Sequence, residues 1–131
     1  SSDTPYLYSH ETGFDDDGSP MDNVFIESAD FDLGDGEQFQ FIRRCIPDVK
    51  FTGNSGTTQA INLVIKARNF PGEALTTDQT TASTTKIDTR ARGRQAVVRF
   101  ESDDDGEVGV RTGVGFRIGG TRLDLQPNGR R

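Results

Sequence analysis

The sequence is poor in the residues that form covalent cross-links and metal or nucleophilic centres. Cys45 is its single cysteine, so no disulfide can form within the chain, and packing and hydrogen bonds must hold the fold. His10 is its single histidine, which excludes a cluster of histidine ligands. A Cys45–His10 nucleophilic pair is formally open, but Cys45 falls within a predicted strand, where we expect a buried and unreactive thiol. These absences predict a chain that is not an enzyme and that holds no metal or cofactor.

Tryptophan is also absent, and aromatic residues make up only 8% of the chain. Both observations count against stacking on sugar rings, although a ligand-binding β-sandwich of the carbohydrate-binding type stays open as the alternative function. Carboxylates are plentiful, but their spacing singles out no pair suited to glycoside hydrolysis. No apolar run approaches the roughly 20 residues that span a bilayer, so we expect no membrane insertion.

Positive charge is lacking in one region and concentrated in another. The formal net charge is −6, which argues against specific nucleic-acid binding. Residues 1–37 contain no lysine or arginine, whereas residues 86–99 contain five basic residues and one acid. Such asymmetry within one chain predicts surfaces that associate.

What the sequence does contain is apolar alternation with a period of two, the pattern of half-buried strands. It is clearest in Ile61, Leu63, Ile65 and Ala67, which should share one face of a strand. Similar runs over 24–33, 38–46, 95–101 and 108–118 are separated by turns rich in glycine, aspartate and asparagine. The pattern predicts an all-β fold, an antiparallel sandwich or barrel-like domain, with 1–23 as an extended polar lead-in and 24–131 as a single β domain.

Three local predictions follow from the turn residues. The strands over 24–33 and 38–46 flank a turn of about three residues and should form a hairpin. Gly119-Gly120 should be a hairpin-like turn as well. The threonine-rich segment 73–85 is either a long surface loop or an edge strand, since threonine favours strands.

The densest basic feature is Arg90-Ala91-Arg92-Gly93-Arg94, and it gives the candidate interface. Its arginines could bind carboxylates of another copy in a bidentate manner. Alternatively, they lie on an exposed strand edge, where charge discourages pairing. The acidic partner that we assign to them is the run Asp15, Asp16 and Asp17.

A set of short stretches, taken in their order along the chain, is similar to a known family of proteins. The stretches are 8–13, 15–18, 25–32, 34–36, 43–48, 66–72, 90–95, 99–103 and 122–131. In that order they resemble the C-terminal region of virion structural proteins of short-tailed bacteriophages, of the tail-nozzle kind.

The resemblance implies a β-rich structural component of a phage virion, made in the cytoplasm of a host bacterium and built into the tail. It implies that the protein acts through assembly with other virion tail proteins, as a homo-oligomeric ring around the DNA channel. It implies no catalytic residues. Interfaces in such rings are heterologous, so one patch meets a different patch on the next copy.

Overall fold

The secondary structure is entirely β, which confirms the all-β prediction. The computed structural model describes residues 24–32, 34–53, 61–82, 85–102 and 114–130, together with 7, 13, 15–16 and 19–20, and these contain no helix. The strands are β1 (Asp15–Asp16), β2 (Ser19–Pro20), β3 (Phe25–Glu27), β4 (Phe31–Asp32), β5 (Gln38–Ile46), β6 (Val49–Gly53), β7 (Ile61–Arg68), β8 (Thr76–Ala82), β9 (Ile87–Gly93), β10 (Gln95–Ser102), β11 (Val114–Ile118) and β12 (Arg122–Arg130).

Two antiparallel sheets pack against each other around one apolar core. The first, which we call sheet I, has the order β3-β10-β7-β8, and β4 pairs with β10 beside β3. The second, sheet II, has the order β12-β5-β9. A ribbon of β6 and β11 extends from sheet II, and its apolar side chains cover one end of the core.

The core forms where the alternation predicted it. Ile61, Leu63 and Ile65 of β7 are at most 1% exposed, and the inward residues of β10, among them Phe100, pack beside them. Full burial of one such side chain contributes roughly 1.5–3 kcal/mol. A core of this kind stabilises the domain without a disulfide.

The face of β5 on which Cys45 lies differs from the prediction. Strict alternation placed Cys45 on the face of Phe39 and Phe41, but Arg43 is an extra residue of β5 in its pairing with β12, where Ile42 and Arg44 lie opposite the consecutive residues Leu125 and Asp124. Beyond the bulge the faces exchange, so Cys45 joins Ile42 in the core and is 0% exposed. The predicted burial of the thiol is therefore confirmed, and desolvation raises its pKa to about 11.

The predicted hairpin between 24–33 and 38–46 is wrong. β3 and β4 pair with β10 in sheet I, whereas β5 pairs with β9 and β12 in sheet II. The turn between them carries the chain from one sheet to the other, with left-handed φ angles of 64° at Gly34 and 75° at Gly36.

The segment Gly119-Gly120 is likewise a corner and not a hairpin turn. β11 pairs with β6 and β12 pairs with β5, so both strands of one long ribbon bend there. The amide of Gly119 donates to the carbonyl of Asp48 across the corner, at 2.7 Å. The threonine-rich segment, finally, forms β8 at the edge of sheet I, which is the second of its two predicted structures.

Candidate interface surfaces

The arginines of β9 point outward because that strand alternates without a break. Ile87, Thr89 and Ala91 are buried, and the Thr89 hydroxyl donates to the Ile42 carbonyl at 2.8 Å. Arg90 and Arg92 alternate with these residues, lie on the opposite face and are exposed. We call these two residues the arginine row.

Arg92 is held in place by an aromatic ring beneath it. Its guanidinium lies 4.4 Å from the ring centroid of Phe39, and its Nη2 donates to the Asn128 carbonyl at 3.4 Å. Arg94 approaches the same ring, at 5.1 Å. Phe39 lies on the outer face of β5 yet is only 5% exposed, since these two side chains are stacked near it.

Arg94 differs from the arginine row because it forms the corner between the two sheets. Its backbone amide donates to the Arg68 carbonyl at 3.0 Å. Its carbonyl accepts a bond from the side-chain Nε2 of the buried Gln40 at 3.3 Å. The preceding residue, Gly93, packs against the end of β7. A Cβ atom at Gly93 would lie 2.9 Å from the Arg68 carbonyl oxygen and 3.0 Å from the Ala67 Cβ, so the close approach requires glycine.

An exposed aromatic side chain lies beside this corner. Phe70 is 55% exposed, and the Arg94 guanidinium lies 5.5 Å from its ring centroid. The turn that presents Phe70 is held by hydrogen bonds, because the Glu73 carboxylate accepts from the backbone amides of Asn69 and Phe70, both at 3.2 Å. Arginine and aromatic side chains together are typical of the centre of protein–protein interfaces.

The outer face of sheet I has the opposite character, since its charges are matched. Lys66 binds the Glu27 carboxylate at 2.8 Å, and Arg99 contacts both Glu27 and Glu101, at 3.6 and 2.8 Å. The hydrogen bond from Lys66, with the charges of Lys66 and Arg99, lowers the pKa of Glu27. Arg68 pairs with Asp30. We call this surface the balanced face.

The outer face of sheet II is not balanced in this way. Arg44 pairs with Asp88 at 3.2 Å, which occupies the acid nearest to the arginine row along β9. Among the described carboxylates, none forms an ion pair with Arg90 or Arg92. Sheet II therefore presents positive charge on a chain whose formal net charge is −6.

The predicted site residues thus fall into separate groups. Arg90 and Arg92 project from one face of β9. Arg94 lies at the corner after this strand, and its guanidinium, like that of Arg92, is near the Phe39 ring. The backbone of Asp15 and Asp16 forms β1, which pairs with β2. Asp17 lies outside the described residues.

Phe39 and Phe70 complete this surface, and sequence reasoning did not select them. The position of Phe39 under the arginines depends on the pairing of β5 with β9, which the sequence does not reveal. Phe70 had a usable signal, because an aromatic residue within a Pro-Gly turn has little opportunity for burial.

Comparisons with protein-family models, with curated proteins and with solved structures gave no significant match to the chain. Within the residues that the structure describes, no three histidine, cysteine, aspartate or glutamate side chains converge as metal ligands do. The same residues contain no helix long and apolar enough to cross a bilayer.

Proposed function

We propose that the chain is a non-catalytic assembly domain of a bacteriophage virion, part of a tail protein of the nozzle kind. In this proposal the arginine row binds carboxylates of a neighbouring subunit, and the subunits form a ring around the DNA channel. The observation that carries the proposal is the contrast in pairing. Cations on the balanced face have acidic partners, whereas Arg90 and Arg92 have none among the described carboxylates.

The arginine row has the properties that a protein interface requires. Arg92 rests on Phe39, so its side chain is already ordered and loses less entropy on binding. A guanidinium stacked on a ring keeps its N–H groups in the plane for bidentate contact with a carboxylate. The exposed Phe70 beyond Arg94 adds apolar area at the end of the same surface.

The proposed place in a phage tail also favours a protein over a nucleic acid as the partner of the arginines. The chain has 15 basic and 21 acidic residues, and this excess of negative charge disfavours contact with phosphate. A DNA channel benefits from walls that bind DNA weakly. Acidic segments on neighbouring copies, such as the one containing Asp15, Asp16 and Asp17, supply a partner that matches the arginines.

The test compares two double variants of the chain that lose the same charge. Arg90→Ala with Arg92→Ala removes the arginine row, and Lys50→Ala with Arg117→Ala removes an exposed cross-strand pair on the ribbon. We expect sedimentation velocity at low salt to show reduced assembly for the first variant and wild-type assembly for the second. Equal assembly of both variants would reject the interface role of the arginine row.

A second measurement in the same series separates protein from nucleic acid as the partner. DNA binding by the wild-type chain is titrated against salt concentration, and the two double variants are compared. We expect no salt-dependent binding to duplex DNA. Binding that falls steeply with salt and disappears in the arginine variant would replace the proposal with a nucleic-acid role.

A further inference from the structure

Sheet I is open at both ends within the described part of the chain. Its outer strands are β3 with β4 on one side and β8 on the other, and each pairs with one neighbour. At the first edge the successive residues Val24, Phe25 and Ile26 are 37%, 52% and 58% exposed. An apolar edge strand without proline or lysine is a template for further strand pairing.

The main chain of β3 is oriented for such pairing. Ser28 donates its amide to the Val98 carbonyl at 2.9 Å, and Val24 accepts from the Ser102 amide at 2.8 Å. Bonding direction alternates along an antiparallel strand, so the N–H and C=O groups of Phe25 and Glu27 point away from β10. Those groups face outward from the sheet.

Strand direction makes the two edges compatible with each other. The path β3-β10-β7-β8 is antiparallel throughout and has an even number of strands, so β3 and β8 run in opposite directions. A second copy in the same orientation would place its β3 antiparallel to β8 of the first. Sheet II has three strands, so its outer strands run in the same direction and a repeat would need parallel pairing.

The two edges also carry matching irregularities. Between the rows of Ala96 and Arg99, the β3–β4 segment has three residues opposite two on β10. In β8 the single residue Asp78 is inserted between the partners of Ile65 and Lys66, which lie in the rows of Val98 and Val97. Each edge thus has one extra residue at the same level of the sheet, so the two edges stay in register along their length.

We propose that β3 and β4 of one copy add to β8 of the next copy, which extends sheet I from subunit to subunit. The rows of the sheet set the register, with Ile26 opposite Thr81 and Phe31 opposite Thr76 of the neighbour. The contact is heterologous, so it propagates into a ring or a filament. It is independent of the phage assignment, because only the strands of this chain enter the argument.

Charge supports a second copy as the occupant. Glu27 is already matched by Lys66 and Arg99, so β3 brings no uncompensated carboxylate into the junction. The exposed Asp32 of β4 would lie near the start of β8 in the neighbour. This is the end of the sheet at which Gly93 packs on Arg68 of β7.

A charge at the edge tests the junction, with a matched substitution elsewhere as control. Ile26→Lys places a lysine at the proposed junction, and Ile46→Lys places one at another exposed apolar residue, on the central strand of sheet II. We expect sedimentation equilibrium to show self-association weakened about tenfold or more by Ile26→Lys and unchanged by Ile46→Lys. A wild-type chain that stays monomeric at all accessible concentrations would overturn the proposal, as would equal effects of the two lysines.

Register-specific cross-linking tests the same junction without relying on affinity. A chain with both Ile26→Cys and Thr81→Cys should form a ladder of disulfide-linked oligomers on mild oxidation, with the buried native Cys45 left in place. A chain with Ile26→Cys and Thr77→Cys, which is out of register, should not. Dimers formed by Ile26→Cys alone would show a symmetric β3–β3 contact and reject the head-to-tail arrangement. A ladder that persists in the Arg90→Ala/Arg92→Ala variant would show that this junction forms without the arginine row. The strand junction would then stand even if the proposed arginine contact were rejected.

Discussion

The outer faces of the two sheets are both charged, but they use charge differently. On the balanced face, Lys66, Arg68 and Arg99 each contact an acid of the same domain. On sheet II, Arg92 stands over the Phe39 ring, and neither residue of the arginine row pairs with a described carboxylate. Charge matched within the domain contributes to folding, whereas charge left unmatched is available to a partner.

Local geometry explains why the two faces differ. In sheet I, Arg99 is directly opposite Glu27 across β10 and β3, so the pairing itself joins opposite charges. In sheet II, Arg92 is opposite Phe41, and the acid on β9, Asp88, is opposite Arg44. The register of β5 with β9 therefore places Arg92 beside aromatic residues.

The largest effect that we expect concerns the corner that joins the two faces. Gly93→Ala should lower the free energy of unfolding by about 2 kcal/mol, because the new Cβ meets the Arg68 carbonyl and cannot swing aside. Gly120→Ala is the matched control, since a Cβ there has no neighbour within 4 Å. Urea denaturation followed by circular dichroism measures both. Equal stability of the two variants would show that the sheets can separate at this corner without cost.

The next effect lies on the balanced face itself. Arg99→Ala should lower the free energy of unfolding by about 1–2 kcal/mol, because it removes contacts to two carboxylates and a stack 3.7 Å from the Phe25 centroid. Arg117→Ala, at an exposed position on the ribbon, is the control and should change little. If both variants lose the same small amount, the matched charges do not stabilise the fold.

The pH dependence of stability sharpens the comparison further. The pKa of Glu27 is lowered in the folded state from an ordinary value of 4.5, so its stabilising contribution is present above that pH. The contribution is lost as the pH falls through the lowered pKa. The stability difference between wild type and Glu27→Gln should therefore be largest near neutral pH and shrink below pH 4.5. A difference that stays constant down to pH 3 would contradict a charged role for Glu27.

Alternation in the sequence predicts strands and faces well, but it does not predict partners. The inward face of β7 was predicted residue by residue from Ile61 to Ala67, because a strand buried on one side alternates apolar and polar residues with a period of two. The pairing of β4 with β10 was missed, since residues 63 and 65 positions apart in the chain meet only through tertiary packing. The face of Cys45 was missed because a bulge leaves no reliable trace in the residue pattern.

The candidate site was predictable to the same partial extent. The outward direction of Arg90 and Arg92 follows from alternation with Ile87, Thr89 and Ala91. The different role of Arg94 does not, because it depends on the crossing of the chain between the sheets after Gly93. The contact with Phe39 depends on the register of β5 with β9, which only the folded chain sets.

The smallest effect that we expect is the change in unfolding free energy when an arginine of the arginine row is removed. A value near zero is the informative result. Arg90 is exposed and pairs with no described carboxylate, so Arg90→Ala removes little that holds the domain together. We expect the free energy of unfolding to change by less than about 0.5 kcal/mol, as for surface substitutions in general. Since the chain as a whole is already negative, losing one positive charge adds slight repulsion, and salt of about 0.1 M screens this over roughly 10 Å. The measurement is urea denaturation of Arg90→Ala beside Arg99→Ala at low and moderate salt. A loss for Arg90→Ala as large as that for Arg99→Ala would mean that the arginine row serves folding, and the distinction between the two faces would fail.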